Sequence, residues 1–233
     1  MSDLYKIAHS ISSRWYFIRR NIIAAQGFSI AYIMYRVLRP LLKIYDILLK
    51  SLYGKEKPWL SPATIGILDE CLNSTMIGLE YGSGRSTLFF SKRLKQLVSI
   101  EHHQEWYDLV SRELNDEGIK NVNYLRIEAG QSESKKDIEE RYKSDYIEDN
   151  QNYSDYYNKV SDFSNSYFDF ILIDGRARVE CSIRAIPKLK SGGIFILDNS
   201  ERRRYEIVHK ELSNWKRINT TSGLTDTTIW FKP

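Results

Sequence analysis

The sequence predicts a doubly wound α/β domain: a seven-stranded sheet, parallel except for an antiparallel last strand, with helices on both faces and an N-terminal helical extension. Three observations carry this prediction. From Met76 onward, short apolar runs rich in β-formers alternate with stretches of helical periodicity, as in a parallel sheet covered on both faces. The first apolar run passes through two glycines, Gly82 and Gly84, straight into a helical stretch. The chain closes on two strand-like runs joined at Ser222-Gly223, which read as a hairpin and reverse the last strand.

Taken in order, residues 4–53 read as two or three helices broken near Arg39-Pro40, because the residue before a proline is pushed out of the helical region. "YGKEKPW", 53–59, reads as a linker and divides an extension, 1–58, from the main domain, 59–233. "SPATIGILDECL" opens that domain as a helix, with Ser61 as N-cap, Pro62 at the first helical position and Ile65, Leu68 and Leu72 on its apolar face. Strands follow at 76–81, 96–101, 122–129, 168–174 and 192–198, then the hairpin strands 214–221 and 226–232; helices fit at 85–94, 104–116, 178–190 and 200–212. Residues 131–166 break the alternation with nine acids, five bases and many tyrosines. Such a polar insertion is either a lid or disordered. Its Tyr146, Tyr153, Tyr156 and Tyr157 either stack on a sugar or aromatic substrate or cover apolar surface.

Composition sets the class. The 233 residues are 42% hydrophobic and 27% charged, as in globular proteins. The net +4 hides an asymmetry: residues 1–60 carry ten Lys/Arg against three Asp/Glu, hence +7, and the remainder twenty-four against twenty-seven, hence −3. A basic arm on a mildly acidic body suits an anionic surface, membrane or polyanion, although arginines flanking a packed helix give the same count. The longest uncharged run, Asn21 to Tyr35, is 15 residues, short of the roughly 20 that span a bilayer. Aromatics and arginines interleave along 14–39, so this segment reads as a packed or interfacial helix. Arg19 and Arg20 before it would suit a signal anchor, but its polar Asn21, Gln26 and Ser29 and the missing small-residue cleavage site count against one. Cys71 and Cys181 read as buried thiols of a reducing cytoplasm, without metal-type Cys/His spacing. The expected location is the cytoplasm, with peripheral contact at the inner membrane face through residues 1–58; nucleic acid is not an expected partner.

The chemistry gathers around Glu80-Tyr-Gly82-Ser-Gly84-Arg-Ser86-Thr87. Two glycines allow a tight turn and close approach to a ligand, and the helix behind it presents free N–H groups. A dinucleotide fingerprint needs a third glycine where Thr87 stands, and the acid at Glu80 suits a ligand bearing an ammonium group. Glu101 ends the second strand 17 residues after Gly84, the place from which a carboxylate accepts ribose hydroxyls. His102 and His103 follow, either edging an adenine or simply lying on the surface.

The stretches "LEYGSGRST", "SIEHHQEWY", "FDFILIDGRAR" and "LKSGGIFILDN" resemble, in order and spacing, the motifs of class I S-adenosylmethionine-dependent methyltransferases, whose fold is Rossmann-like. The resemblance covers about 59–233. It implies that the Gly82–Gly84 turn, with Ser83, Ser86 and Thr87, holds the methionine part, that Glu80 supports it, that Glu101 binds the ribose with His102 nearby, and that Asp174 sits beside the transferred methyl. The sequence does not single out a general base: Asp174 is the default and His103 the second candidate. Enzymes that methylate base amines typically show Asp/Asn-Pro-Pro-aromatic after the fourth strand; Asp174-Gly175-Arg176-Ala177 stands here. Asp174 with Asp198 and Asn199 resembles the metal-dependent O-methyltransferases of the catechol and caffeoyl-CoA type, where such a set holds Mg²⁺ or Ca²⁺. The alternative is that Asp198 and Asn199 cap the next helix. Arg176 and Arg178 either clamp a substrate carboxylate or phosphate or pair with nearby acids. Of "ERRRY", 201–205, the arginines read as a solvated face and Tyr205 as turned inward toward the substrate.

The expected activity is methyl transfer to a hydroxyl of a sugar, glycan or small metabolite. The rival readings are a nicotinamide-dependent oxidoreductase, and a non-catalytic membrane- or glycan-binding module that keeps the fold.

Overall fold

The structure, a computed structural model, describes residues 4–6, 8, 37–38, 40–41, 43–45, 47–48, 57–130, 153–222 and 225–233. In chain order the main domain runs α1 (Pro62–Cys71), β1 (Ile77–Tyr81), α2 (Arg85–Ser91), β2 (Gln96–Glu101), α3 (Gln104–Asp116), β3 (Val122–Arg126), α4 (Ser154–Asn158), β4 (Phe168–Ile173), α5 (Arg178–Ala185), β5 (Leu189–Asp198), α6 (Glu206–Glu211), β6 (Lys216–Thr221) and β7 (Asp226–Phe231). The strands form one seven-stranded sheet in the order β3-β2-β1-β4-β5-β7-β6. All pairings are parallel except β5 with β7 and β6 with β7. The doubly wound sheet with its reversed last strand is therefore the observed architecture.

Each element follows from its residues. Ser61 caps α1, its Oγ accepting from Thr64 N at 3.1 Å, and donates to Thr220 Oγ1 at 2.8 Å, which ties the helix to β6. The apolar runs of β1, β2, β4 and β5 lose almost all exposure because both sheet faces are covered. One face packs Leu79, Tyr81, Ile171, Ile173 and Trp230 under α4, α5 and α6; the other packs Phe90, Phe170, Leu172, Ile196 and Ile229 against α1 and α2. The first helical turn of the chain joins the second layer: Ala8 is fully buried, and Tyr5 sets its ring edge-on to Phe231 at 5.5 Å.

Several boundaries move. The strand expected to reach 129 ends at Arg126. The helix expected at 178–190 stops at Ala185 and tightens into a 3₁₀ turn, Ile186–Lys188, because Pro187 has no N–H to continue the ladder. The helix expected from 200 begins only at Glu206, after the 3₁₀ turn Arg203–Tyr205. Of the polar insertion, 131–152 and with it Tyr146 lie outside the described residues. Its end is core: Tyr156 is fully buried, and Tyr153 and Tyr157 nearly so. Those tyrosines cover apolar surface. Cys71 and Cys181 are free and buried; burial, reinforced by Glu70, pushes the Cys71 thiol up to about 11. No helix among the described residues is long and apolar enough to cross a membrane.

Candidate functional site

A cleft of about 470 Å³ opens at the C-terminal ends of β1, β2, β4 and β5. From β1 the chain winds outward through β2 and β3 in one direction and through β4 and β5 in the other, so the cleft sits at the topological switch point, where doubly wound sheets bind ligands.

One wall comes from the β1 and β2 ends. Gly82 has φ +89° and would place a Cβ 2.6 Å from the N and Cα of Gly175, so only glycine fits. Its N–H donates to Ile100 O at 2.9 Å. Gly84 is in extended backbone, φ 163°, and a Cβ there would meet the Trp106 ring at an ordinary 3.6 Å; its conformation demands no glycine. Thr87 Oγ1 accepts from Gly84 N at 3.0 Å and donates to Glu80 Oε2 at 2.7 Å. Glu80 also accepts from Ser99 Oγ at 2.8 Å, while its buried Oε1 has no hydrogen-bond partner. Burial, against the hydroxyls of Ser86, Thr87 and Ser99, raises Glu80 to about 7. Glu101 is the opposite case. Its Oε2 accepts from Ser83 N and Oγ, both at 3.0 Å. Its Oε1 accepts from the N–H groups of His102 and His103 at 2.8 and 2.9 Å and lies 2.9 Å from His102 Nδ1. Burial alone would raise Glu101, but these donors outweigh it and hold the carboxyl below its ordinary value. Trp106 Nε1 donates to Ser83 O at 2.5 Å and pins the turn from outside.

The other wall comes from the β4 and β5 ends. Arg178 organises it while only 9% exposed. Its Nη2 contacts Asp174 Oδ1 at 2.8 Å and donates to Asp174 O at 2.7 Å. Its Nη1 donates to Asp198 O at 2.5 Å and stands 3.8 Å from Asp198 Oδ2; Nε donates to Gly175 O at 2.9 Å. Asp198 Oδ1 accepts from Thr227 Oγ1 at 2.6 Å and Oδ2 from Asn199 Nδ2 at 2.7 Å. Asn199 Oδ1 accepts from Arg202 at 2.9 Å. The expected metal ligands are thus already engaged by a guanidinium, a hydroxyl and an amide, and a divalent ion would meet Arg178 between its two carboxylates. The set does not fit Mg²⁺ or Ca²⁺. Among the described residues no group of three or more His, Cys, Asp or Glu is placed to hold a metal. Burial, then the neighbouring Asp198 carboxylate, raises Asp174, with Arg178 opposing; the Asp174 side chain still keeps 29% exposure toward the cleft.

The cleft gathers Gly82, Ser83, Glu101, His102, Asp174, Arg176, Arg178, Asn199 and Tyr205. Glu80, Gly84, Ser86, Thr87 and Asp198 stand behind this surface rather than on it. Arg178 takes the salt-bridge alternative and is no free clamp. Trp106, Gly175, Arg202 and Arg204 also line the cleft and were not expected there; His103, open between adenine edge and surface, joins them. The 201–204 run is therefore not simply a solvated face: Arg202 and Arg203 are exposed and Arg204 half-buried, yet Arg202 and Arg204 line the cleft, after the chain reverses at Asn199, φ +53°, before α6 begins. The signal available in the sequence was Asn199 itself, a residue type that tolerates left-handed backbone.

No family model matches the chain, and no curated protein matches it significantly. Solved structures do. A methyltransferase-like protein from Silicibacter pomeroyi aligns over 76% of this chain and 89% of its own, at 21% identity and TM-score 0.55. A Streptococcus mutans protein assigned as a methyltransferase, in complex with SAH, aligns over 71% of this chain and 93% of its own, at 10% identity and TM-score 0.50. The YcgJ protein from Bacillus subtilis is matched over 45% of its length, at 16% identity and TM-score 0.37, and carries no argument. The likeness shows the architecture: this chain has the fold of the class I S-adenosylmethionine-dependent methyltransferases.

Proposed function

We propose that the protein transfers a methyl group from S-adenosylmethionine to a hydroxyl oxygen of a sugar, glycan or small metabolite. The observation that carries the proposal is the convergence of the Gly82-Ser83 turn, Glu101 and Asp174 on one cleft at the switch point. When bound, S-adenosylmethionine supplies an electrophilic methyl on a sulfonium. Glu101, kept ionised by its N–H and hydroxyl donors, offers negative charge to ribose hydroxyls. Gly82 keeps the turn bare for close approach. Glu80 acts from behind, through Thr87, on the position of Gly84. Asp174 receives the proton of the acceptor hydroxyl; its raised pKa suits a base working near neutral pH, and Arg178 holds its carboxylate in place. No step runs through a metal ion, because Arg178 stands between Asp174 and Asp198. The oxygen rather than nitrogen acceptor is supported by Asp174-Gly175-Arg176-Ala177 standing where base N-methyltransferases carry a proline pair.

We also infer that the basic arm meets an anionic membrane surface. Its described helical residues 37–48 expose Val37, Leu41, Ile44 and Leu48 by 55–70%, and the first 60 residues carry +7.

Calorimetry tests the main proposal. S-adenosylhomocysteine should bind the wild type, NAD should not, and Glu101→Ala should weaken S-adenosylhomocysteine at least about tenfold, as loss of a charged hydrogen-bond acceptor does. Unchanged affinity in Glu101→Ala, or preferential NAD binding, overturns the assignment. Chelator, Mg²⁺ and Ca²⁺ should each leave the thermal midpoint unmoved.

A further inference from the structure

Resting on that reading of the cleft, we propose that its β4–β5 half binds the acceptor through a phosphate group, held by Arg176, Arg202 and Arg204 around the hydroxyl of Tyr205. The two halves of the cleft differ in charge. On the β1–β2 side the ionised group is Glu101. On the β4–β5 side Asp174 is matched by Arg178 at 2.8 Å, and three further arginines line the same side. The Arg176 guanidinium has no hydrogen-bond or ion-pair partner among the described residues. Arg202 donates to a neutral acceptor, Asn199 Oδ1, at 2.9 Å. Arg204 lies over the Tyr205 ring at 5.0 Å, with Arg178 at 6.0 Å from the same ring.

Tyr205 gives the independent observation. It lines the cleft and is 1% exposed, yet its buried Oη has no hydrogen-bond partner. An unmade buried hydrogen bond is costly, and native structures keep few. A buried, unpartnered phenol O–H in a cleft also lined by Arg176, Arg202 and Arg204 is a donor waiting for an anion.

The surrounding charge makes the cluster more pointed. Residues 61–233 net −3, so this positive wall stands against the balance of its own domain and focuses its field into a concave site. A phosphate offers three oxygens and up to two charges, which matches several planar guanidinium forks plus a hydroxyl; a carboxylate offers only two oxygens. The donor's own methionine carboxylate is the competing anion, and the test separates the two.

The protein saturated with S-adenosylhomocysteine is titrated with inorganic phosphate, with acetate as the carboxylate arm, at low salt and again at 0.15 M. Phosphate should bind more tightly than acetate and weaken with salt. Arg176→Ala and Arg202→Ala, both at exposed positions, should each weaken phosphate about tenfold, and Tyr205→Phe severalfold, while S-adenosylhomocysteine affinity stays within about twofold. The proposal is overturned if phosphate binding survives the Arg176→Ala/Arg202→Ala double variant, if acetate binds as tightly as phosphate, or if S-adenosylhomocysteine affinity falls in step with phosphate affinity. Absent S-adenosylhomocysteine binding alongside intact, arginine-dependent phosphate binding has a different meaning: the methyl-transfer reading fails and the anion site stands.

Discussion

Glu80 and Glu101 are both buried carboxylates on neighbouring strands, and they titrate in opposite directions because their donors differ. Glu101 has donors on both oxygens, four of them backbone or hydroxyl groups; Glu80 has the Thr87 and Ser99 hydroxyls bonded to Oε2, a further favourable influence from the Ser86 hydroxyl, and no hydrogen bond to Oε1. Glu80 is therefore protonated in the folded protein up to about pH 7, against 4.5 for the free group. Between those values the folded state binds more protons than the unfolded state, so stability falls as pH rises from about 4.5 to 7. The full swing is on the order of 3 kcal/mol at most. Urea unfolding across that range should show a shallower decline in Glu80→Gln than in wild type; an identical slope would sink the assignment. At this scale Glu101 was legible because a strand-ending acid before a helix has few other uses. The indirect role of Glu80 was not: Leu79 and Tyr81 face one side of the sheet and Glu80 the other, so the acid beside the glycine turn points behind it, at Thr87 and Ser99.

At the scale of elements, the site depends on how closely the β1 and β4 ends approach. Parallel register, Tyr81 beside Ile173, carries Gly82 onto Gly175. A Cβ on Gly175 would collide with the buried Tyr156 hydroxyl and stand 3.0 Å from Gly82 N, neither able to yield cheaply. Gly175→Ala should cost about 1–3 kcal/mol, as overpacking does, and lower S-adenosylhomocysteine affinity by displacing the turn. Gly84→Ala should unfold at the wild-type denaturant midpoint, since its backbone is extended and its Cβ has room. Equal stability losses in the two variants would refute this account. The strands themselves were plain in the sequence, and β2 and α3 end where the pattern ends, because burial on both faces leaves uninterrupted apolar runs. What stayed hidden were features set across the chain: the Gly82–Gly175 contact, Trp106 reaching back to Ser83 O, and the reversal at Asn199 that precedes the cleft-lining Arg202 and Arg204. None of these has a local period to read.

For the whole molecule, the question is what the arm does for a cleft whose acceptor wall is cationic. Its first turn is part of the domain, with Ala8 buried and Tyr5 against Phe231. Deleting 1–58 would therefore uncover core as well as remove the arm, and a deletion confounds the two. Residues 37, 41, 44 and 48 recur at one-face helical spacing, and all four are exposed apolar side chains in a segment rich in arginine and lysine. That is the composition of a helix lying in a membrane interface, where apolar burial and attraction to anionic lipid act together. Point variants on this face leave the docked first turn untouched. Leu41→Glu combined with Ile44→Glu should reduce co-sedimentation with phosphatidylserine vesicles at least about tenfold, since each change removes buried apolar area and adds a repelled charge. Thermal midpoint and S-adenosylhomocysteine affinity should stay unchanged, as these side chains touch neither core nor cleft. Wild-type protein that fails to sediment at low salt would remove the membrane from the picture. A loss of stability in the double variant would mean that the face packs on protein instead.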